Sequence, residues 1–300
     1  MRKNFICGLF NLAVIIIVFG SYVIVAQTVI TGEWTATIKD EKTDKIHLSF
    51  ERRTEKGGKK NQHGSSFAYD DLQGLTRENS QNGKVNFRLV REAGTIESEG
   101  SFINGKGSGT FRFIGNQSFV DAMRSRGFDF ERSSSTKHEG TLEDRLFSAA
   151  TLNVTTALAD DLKSANFEAL DVGDLFKAAI FKIDGKYMAE MKATGFPNLR
   201  MEDLVKARIF KIDADFVRQV RGMGFDNENF EGLVKFRIFK VTPEFLNELK
   251  SEGFNDLRAE DVVKFRIFKI DSAFIRAARA EDLNVTVEEL VRRRIGVGKR

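Results

Sequence analysis

A single cysteine occurs in 300 residues, and it sits inside an apolar stretch at the N-terminus (Cys7). The rest of the chain can form no disulfide and no cysteine-ligated zinc site, and it offers no thiol nucleophile. Packing alone must stabilise it. Proline is scarce too: Pro197 and Pro243 are the only two, which argues against long disordered linkers. His47, His63 and His138 are the only histidines; they are far apart and no H-E-x-x-H occurs, so no metal is expected. Neither a G-x-S-x-G elbow nor a paired-carboxylate motif stands out. The chain lacks a strong charge of one sign: a formal net charge of +4 is spread over interleaved acids and bases, which reads as a solvated surface. A nucleic-acid binder would concentrate its basic residues, so no nucleic-acid partner is expected. No cofactor is expected, and the chain reads as a non-enzyme. An enzyme of unrecognised type stays open as an alternative, because carboxylates are abundant.

The aromatic content is lopsided: 28 phenylalanines stand against one tryptophan and three tyrosines. At the N-terminus Arg2 and Lys3 precede a stretch with no charge until Glu33, and "FICGLFNLAVIIIVFGSYVIVA" (5–26) is almost wholly apolar. That is long enough for a bilayer, which needs ~20 residues. It also has the order of a secretory signal, with Ala26-Gln27 as a cut site, although Ile24 at the −3 position is not small. Residues 1–31 are thus a cleaved signal or a retained anchor. Both readings export the remainder of the chain to a periplasmic or extracytoplasmic location, held at the inner membrane through residues 5–26 if uncleaved.

From 32 to 116 the chain alternates apolar and polar residues. "WTATIK" (34–39), "KIHLSFERR" (45–53), "KVNFRLVRE" (84–92), "GTIESEGSFI" (94–103) and "GTFRFIG" (109–115) read as strands, separated by turn signals at 82–84, 92–95 and 104–109. Five or six antiparallel strands in meander order give a small barrel or curled sheet. "EKGGKKNQHGSS" (55–66) reads as a polar loop. "GSFINGKG" (100–107) is one hydroxyl short of a phosphate-binding loop and is flanked by strands, so it reads as a hairpin turn.

From 117 to 300 the chain repeats itself. Ile180, Ile209, Ile238 and Ile267 are each 29 residues apart. Leu158, Tyr187, Phe216, Phe245 and Phe274 keep the same period, as do Phe167, Phe196, Phe225 and Phe254. Asn166, Gly195, Gly224 and Gly253 precede this last set and suit a left-handed helix end. Each unit is two short helices. In "TPEFLNELKSEGF", Thr242 caps the first helix and Pro243 suits its first position, with Asp184, Asp213 and Asp271 as the sister caps. The second helix is expected from Ala259 to Ile270, with its isoleucines in the core. Six units and about twelve helices result, with a polar insertion near 130–139. Helices this short are marginal alone, so the units must stack as an α-solenoid.

Three charged columns share the period: Arg208, Arg237 and Arg266; Lys182, Lys211, Lys240 and Lys269; and Asp174, Asp203 and Asp261, broken by Gly232. Arg208, Arg237, Arg266, Lys211, Lys240 and Lys269 form a candidate partner-binding ridge. The plainer reading is a ladder of salt bridges and helix-end charges.

"DLQGLT", "VNFRLVREAGTIESEGSF", "GKGSGTFRFIGNQSF", "EDLVKARIFKID" and "VTPEFLNELKSEGF" resemble an extracytoplasmic module of bacterial proteins. That module occurs in stand-alone exported proteins and in C-terminal extensions of beta-lactam-sensor-type membrane metallopeptidases. The resemblance covers nearly everything from Gly32 onward. The peptidase part has no counterpart, since there is one apolar segment and no zinc motif, so peptidase activity does not carry over. The resemblance implies an exported accessory or sensing module. The expected fold is α+β in two domains, an antiparallel β-sheet or small barrel followed by an α-solenoid of two-helix repeats. The expected function is binding of an envelope protein or peptide by the repeats, with lipocalin-like small-ligand binding by the β-domain as the alternative. A barrel interior filled by Phe87, Leu89, Phe102, Phe111 and Phe113 would exclude the latter.

Overall fold

A computed structural model describes residues 29–38, 43–53, 60–132, 140–165 and 169–296. The apolar stretch 5–26, Cys7, His138, Asn166, Phe167 and most of the 130–139 insertion lie outside the described residues. Among the described residues no helix is long and apolar enough to cross a membrane.

Among the described residues the architecture is α+β in two parts, a curled antiparallel sheet followed by a run of twelve helices. The strands are β1 (Val29–Thr37), β2 (Lys45–Arg53), β3 (Lys60–Ala68), β4 (Leu72–Gln73), β5 (Gly83–Arg91), β6 (Gly94–Ile103) and β7 (Lys106–Gly115). Their order across the sheet is β3-β2-β1-β7-β6-β5-β4. This corrects the simple meander. The first strand pairs with the last, so the sheet curls into a half-barrel with β3 and β4 as its free edges. The sheet also begins at Val29, three residues before the expected boundary. A further correction concerns 55–66: its described residues 60–66 belong to β3. Only Phe67 in that strand is a buried apolar residue, so β3 has almost no alternation to read, and it is held by backbone pairing to β2.

Inward positions carry the large rings. Phe87, Leu89, Phe102, Phe111 and Phe113 are each 3% exposed or less, and the interior is filled by side chains. Trp34 lies across β7 and β6, its Nε1 donating to the Glu99 carbonyl at 3.1 Å. A Cβ on Gly100 would come within 2.7 Å of its ring, so only glycine fits beneath it. The "GSFINGKG" stretch is the β6–β7 hairpin. Asn104 and Gly105 both take positive φ (50° and 72°), as a tight two-residue turn requires.

The helices are α1 (Gln117–Ser125), α2 (Leu142–Leu152), α3 (Thr156–Ser164), α4 (Val172–Phe181), α5 (Gly185–Ala193), α6 (Met201–Phe210), α7 (Ala214–Gly222), α8 (Phe230–Ile238), α9 (Pro243–Ser251), α10 (Ala259–Ile267), α11 (Ser272–Glu281) and α12 (Val287–Arg294). The even-numbered helices pack side by side in one row from α2 to α12, and α1, α3 and α5 begin a second row. Asp184, Asp213, Thr242 and Asp271 each accept a hydrogen bond from the backbone N–H three residues on, as N-caps. Gly195, Gly224 and Gly253 end the odd helices with φ of 95°, 99° and 83°. Tyr187, Phe216 and Phe245 are buried, while Phe196, Phe225 and Phe254 are half-buried against the same core.

Helix α2 joins the two parts. The Phe147 ring enters the open end of the half-barrel, stacked on Phe111 (centroids 5.4 Å apart) and edge-on to Phe50, Phe113 and His63. Asp144 closes a capping box with Thr141 and pairs with Arg52 of β2. The buried Arg145 guanidinium donates to the carbonyls of Phe130 (2.7 Å), Gly140 (2.6 Å) and Glu131 (3.2 Å), which fixes both ends of the insertion. Phe130 itself is fully buried between Phe119 and Phe176, so the insertion is not wholly polar.

Replacing Phe147 by Ala empties this contact and should destabilise the protein by about 3–5 kcal/mol. Guanidinium unfolding followed by the fluorescence of the lone Trp34 checks this. Burial holds the His63 imidazole below its ordinary value, with Asp144 pulling it partly back. The unfolded chain takes up that proton at about pH 6.5, and the folded chain only at lower pH. Stability on this account is present above about pH 6.5 and is lost as pH falls through it. The Tm difference between about pH 7.5 and about pH 5.5 should therefore be smaller in His63→Phe than in the parent.

Candidate binding ridge on the helical repeats

The motif R-I-F-K closes α6, α8 and α10, with A-I-F-K at the end of α4. Its arginines are committed within the molecule. Arg208 donates to the Lys182 carbonyl at 2.6 Å, Arg237 to that of Lys211 at 2.7 Å, and Arg266 to that of Lys240 at 2.7 Å. Each guanidinium also lies over the ring of the intervening odd helix: Arg208 over Tyr187 (3.6 Å), Arg237 over Phe216 (3.7 Å) and Arg266 over Phe245 (4.0 Å). Each arginine thus ties one repeat to the one before it, binding an otherwise unpaired helix-end carbonyl and an aromatic face together. Burial pushes the Tyr187 hydroxyl up to about 12, against the opposing pull of Arg208.

The aspartates are committed as well. Asp174 and Asp203 receive the backbone N–H of their own N-cap residue and pair with Lys177 and Lys206, which reach on to Glu202 and Glu231 of the next repeat. Asp261 is held by Arg258 and Lys264, each at 2.9 Å. Where Gly232 interrupts the column, Glu228 supplies the carboxylate. It accepts the Asn229 N–H at 3.0 Å and occupies the space a Cβ on Gly232 would need.

The lysines differ. Helices α4, α6, α8 and α10 stop at Phe181, Phe210, Ile238 and Ile267, short of the Ile270 expected for α10. Lys182, Lys211, Lys240 and Lys269 then adopt the left-handed conformation, with φ of 53°, 54°, 52° and 51°. Asn153 holds this place at the end of α2. A left-handed lysine costs about 1–2 kcal/mol, a strain that glycine avoids at the matching ends of the odd helices. All four side chains are exposed, and none has an ion-pair partner among the described residues.

The isoleucine column is a correction. Ile180, Ile209, Ile238 and Ile267 were expected in the core, yet each is 45–54% exposed. A signal for this exists in the sequence. Phe236 and Phe265 are buried, and a residue two places further along a helix points to the opposite side at 3.6 residues per turn. The last unit, one residue shorter, continues the line with Ile295, 53% exposed and directly after Arg294. Five exposed isoleucines therefore follow the even row, and four exposed lysines accompany them.

The sheet carries a concavity of about 960 Å³, lined by outward residues, among them Glu33, Arg88, Glu97, Glu99 and Arg112, and by Phe87 and Phe111. Arg112 pairs with Glu97 at 2.5 Å and Thr110 donates to Glu99 at 3.4 Å, so part of its charge is neutralised internally. No group of three or more His, Cys, Asp or Glu residues among the described residues is placed to hold a metal ion.

Lys240→Gly should raise stability by about 0.5–1 kcal/mol, because the left-handed backbone is kept and its strain removed. Urea denaturation against the parent protein checks this. Comparison with protein-family models and with curated proteins finds no match, so the reading of this surface rests on its own geometry.

Proposed function

We propose that the protein is a non-enzymatic, exported binding module of the bacterial cell envelope that holds a protein or peptide partner on its helical repeats. The observation that carries this reading is the exposed isoleucine column with its unpaired lysines. A line of exposed large apolar side chains repeated along one row suits an interaction site, and solenoids present extended surfaces along their length. The arginine and aspartate columns are tied up between repeats, which leaves isoleucine and lysine as the groups available to a partner. The resemblance to extracytoplasmic modules of exported bacterial proteins agrees with this role, and the apolar segment 5–26 supplies either the export signal or a membrane anchor.

A second reading places a small ligand on the β-domain. The concavity on the sheet, lined by charged residues together with Phe87 and Phe111, favours it, while Phe102 and Phe113 are packed inside the half-barrel.

A photoreactive amino acid placed at position 238 of the full chain, in the native envelope, should give a defined adduct by mass spectrometry. The same adduct should form from position 209, but not from the exposed Val90 of the sheet. An adduct from position 90 alone, or none from any position, would reject the repeat-based reading.

A further inference from the structure

The ridge has a spacing, a charge and a width, and together they specify what it holds. We propose that the column Ile180, Ile209, Ile238, Ile267 and Ile295 docks one extended peptide segment with an aliphatic side chain at every third residue and carboxylates between them. This rests on the repeat-based binding reading and names its ligand.

Spacing comes first. The even helices pack side by side, and packed helices lie 8–10 Å apart, so equivalent isoleucines recur at about that interval. A polyproline II segment rises 3.1 Å per residue and repeats its faces every three, about 9.3 Å. A β-strand shows the same face every ~6.6–6.8 Å, which falls out of step after one repeat. Three-residue periodicity therefore sets one aliphatic side chain against each isoleucine.

Charge comes second. Lys182, Lys211, Lys240 and Lys269 are exposed and left without an acid among the described residues, whereas Arg208, Arg237 and Arg266 are engaged, as are Lys177, Lys206 and Lys264 of the other lysine column, in which Lys235 alone shows no ion pair. The acids nearest in sequence, Asp184, Asp213 and Asp271, accept the backbone N–H groups of Tyr187, Phe216 and Phe274 as caps. Four lysines kept in a strained conformation, where glycine would serve the backbone better, point to a use for the ammonium groups. A line of free ammonium groups beside apolar side chains selects a peptide with carboxylates.

Width comes third. The exposed strip is one isoleucine wide and each is only about half exposed. A stable dimer buries about 800 Å² on each partner, more than such a strip offers, so a second copy of this chain is a poor occupant and a single segment a good one.

The test uses the full chain purified in a neutral detergent and fluorescein-labelled peptides read by anisotropy. One peptide is five copies of Leu-Glu-Pro; the control has the same composition and length with its five leucines set two residues apart in one block, so that the three-residue spacing is lost. The first should bind and the control should not. Binding should weaken at least about tenfold in Ile209→Ser/Ile238→Ser. In Lys211→Gly/Lys240→Gly it should weaken and lose most of its salt dependence. Both variants alter exposed side chains and should keep the parent's circular dichroism. Equal binding of the two peptides, or unchanged affinity in the isoleucine variant, overturns the proposal. So does sedimentation with anionic vesicles that the isoleucine variant loses, since the ridge would then face lipid. If neither peptide binds while position 238 still gives its adduct, the peptide spacing is wrong and the repeat-based reading stands. If both fail, both fall.

Discussion

Each helix of the repeats ends in carbonyl groups that nothing within the helix can satisfy, and at most of these ends a basic side chain of the following repeat satisfies one of them. Arg208, Arg237 and Arg266 do this on the even row. On the odd row Lys163 reaches the Arg126 carbonyl, Arg221 that of Thr194 and Arg279 that of Glu252. Helices of eight to eleven residues are marginal alone in water, so they persist only because each is fastened to its neighbours. The fastening also fixes the period. An inserted residue would draw a guanidinium away from both its carbonyl and its ring. The last unit drops one residue and its arginine shifts accordingly, with Arg294 bonding the Phe268 carbonyl.

The same bonds decide what remains on the surface. Arginine and aspartate, the charged residues most noticeable in the repeat, are absorbed by contacts between units. The isoleucines stand two places beyond the buried Ala178, Ala207, Phe236 and Phe265 and so face outward, and the chain then reverses through a left-handed lysine. An exposed apolar line flanked by free ammonium groups is a by-product of ending helices in this way. Its lysines have no ion-pair partner among the described residues.

The sheet depends on the helices as much as the reverse. Its half-barrel is open at one end, and Phe147 closes that end by stacking among Phe50, Phe111 and Phe113, so sheet and solenoid share one continuous core. The Arg52–Asp144 pair and the bond from the Thr156 N–H to Glu92 (2.8 Å) set the angle at which the solenoid leaves the sheet.

Much of the local structure was legible in the sequence. The 29-residue period set the number of helices, Thr242 and its aspartate counterparts marked where helices start, and Gly195, Gly224 and Gly253 where they stop, because capping and left-handed turns depend on a few adjacent residues. Strands β2 and β6 were readable to the residue, since alternation is a local signal. What depended on distant partners was not. β3 is a strand only because β2 lies beside it, and β1 meets β7 only because the sheet curls. The arginines could be recognised as a column, but whether they faced a partner or a neighbouring repeat depended on where the preceding helix ended. The isoleucines recurred at a core-like period, yet only the packing of neighbouring helices decided that this face stays in water. Sequence by itself determined the elements and their repetition, through propensities and caps acting over a few residues. Tertiary structure alone decided which repeated side chains were consumed in holding the fold and which were left exposed, because burial is a property of neighbours in space.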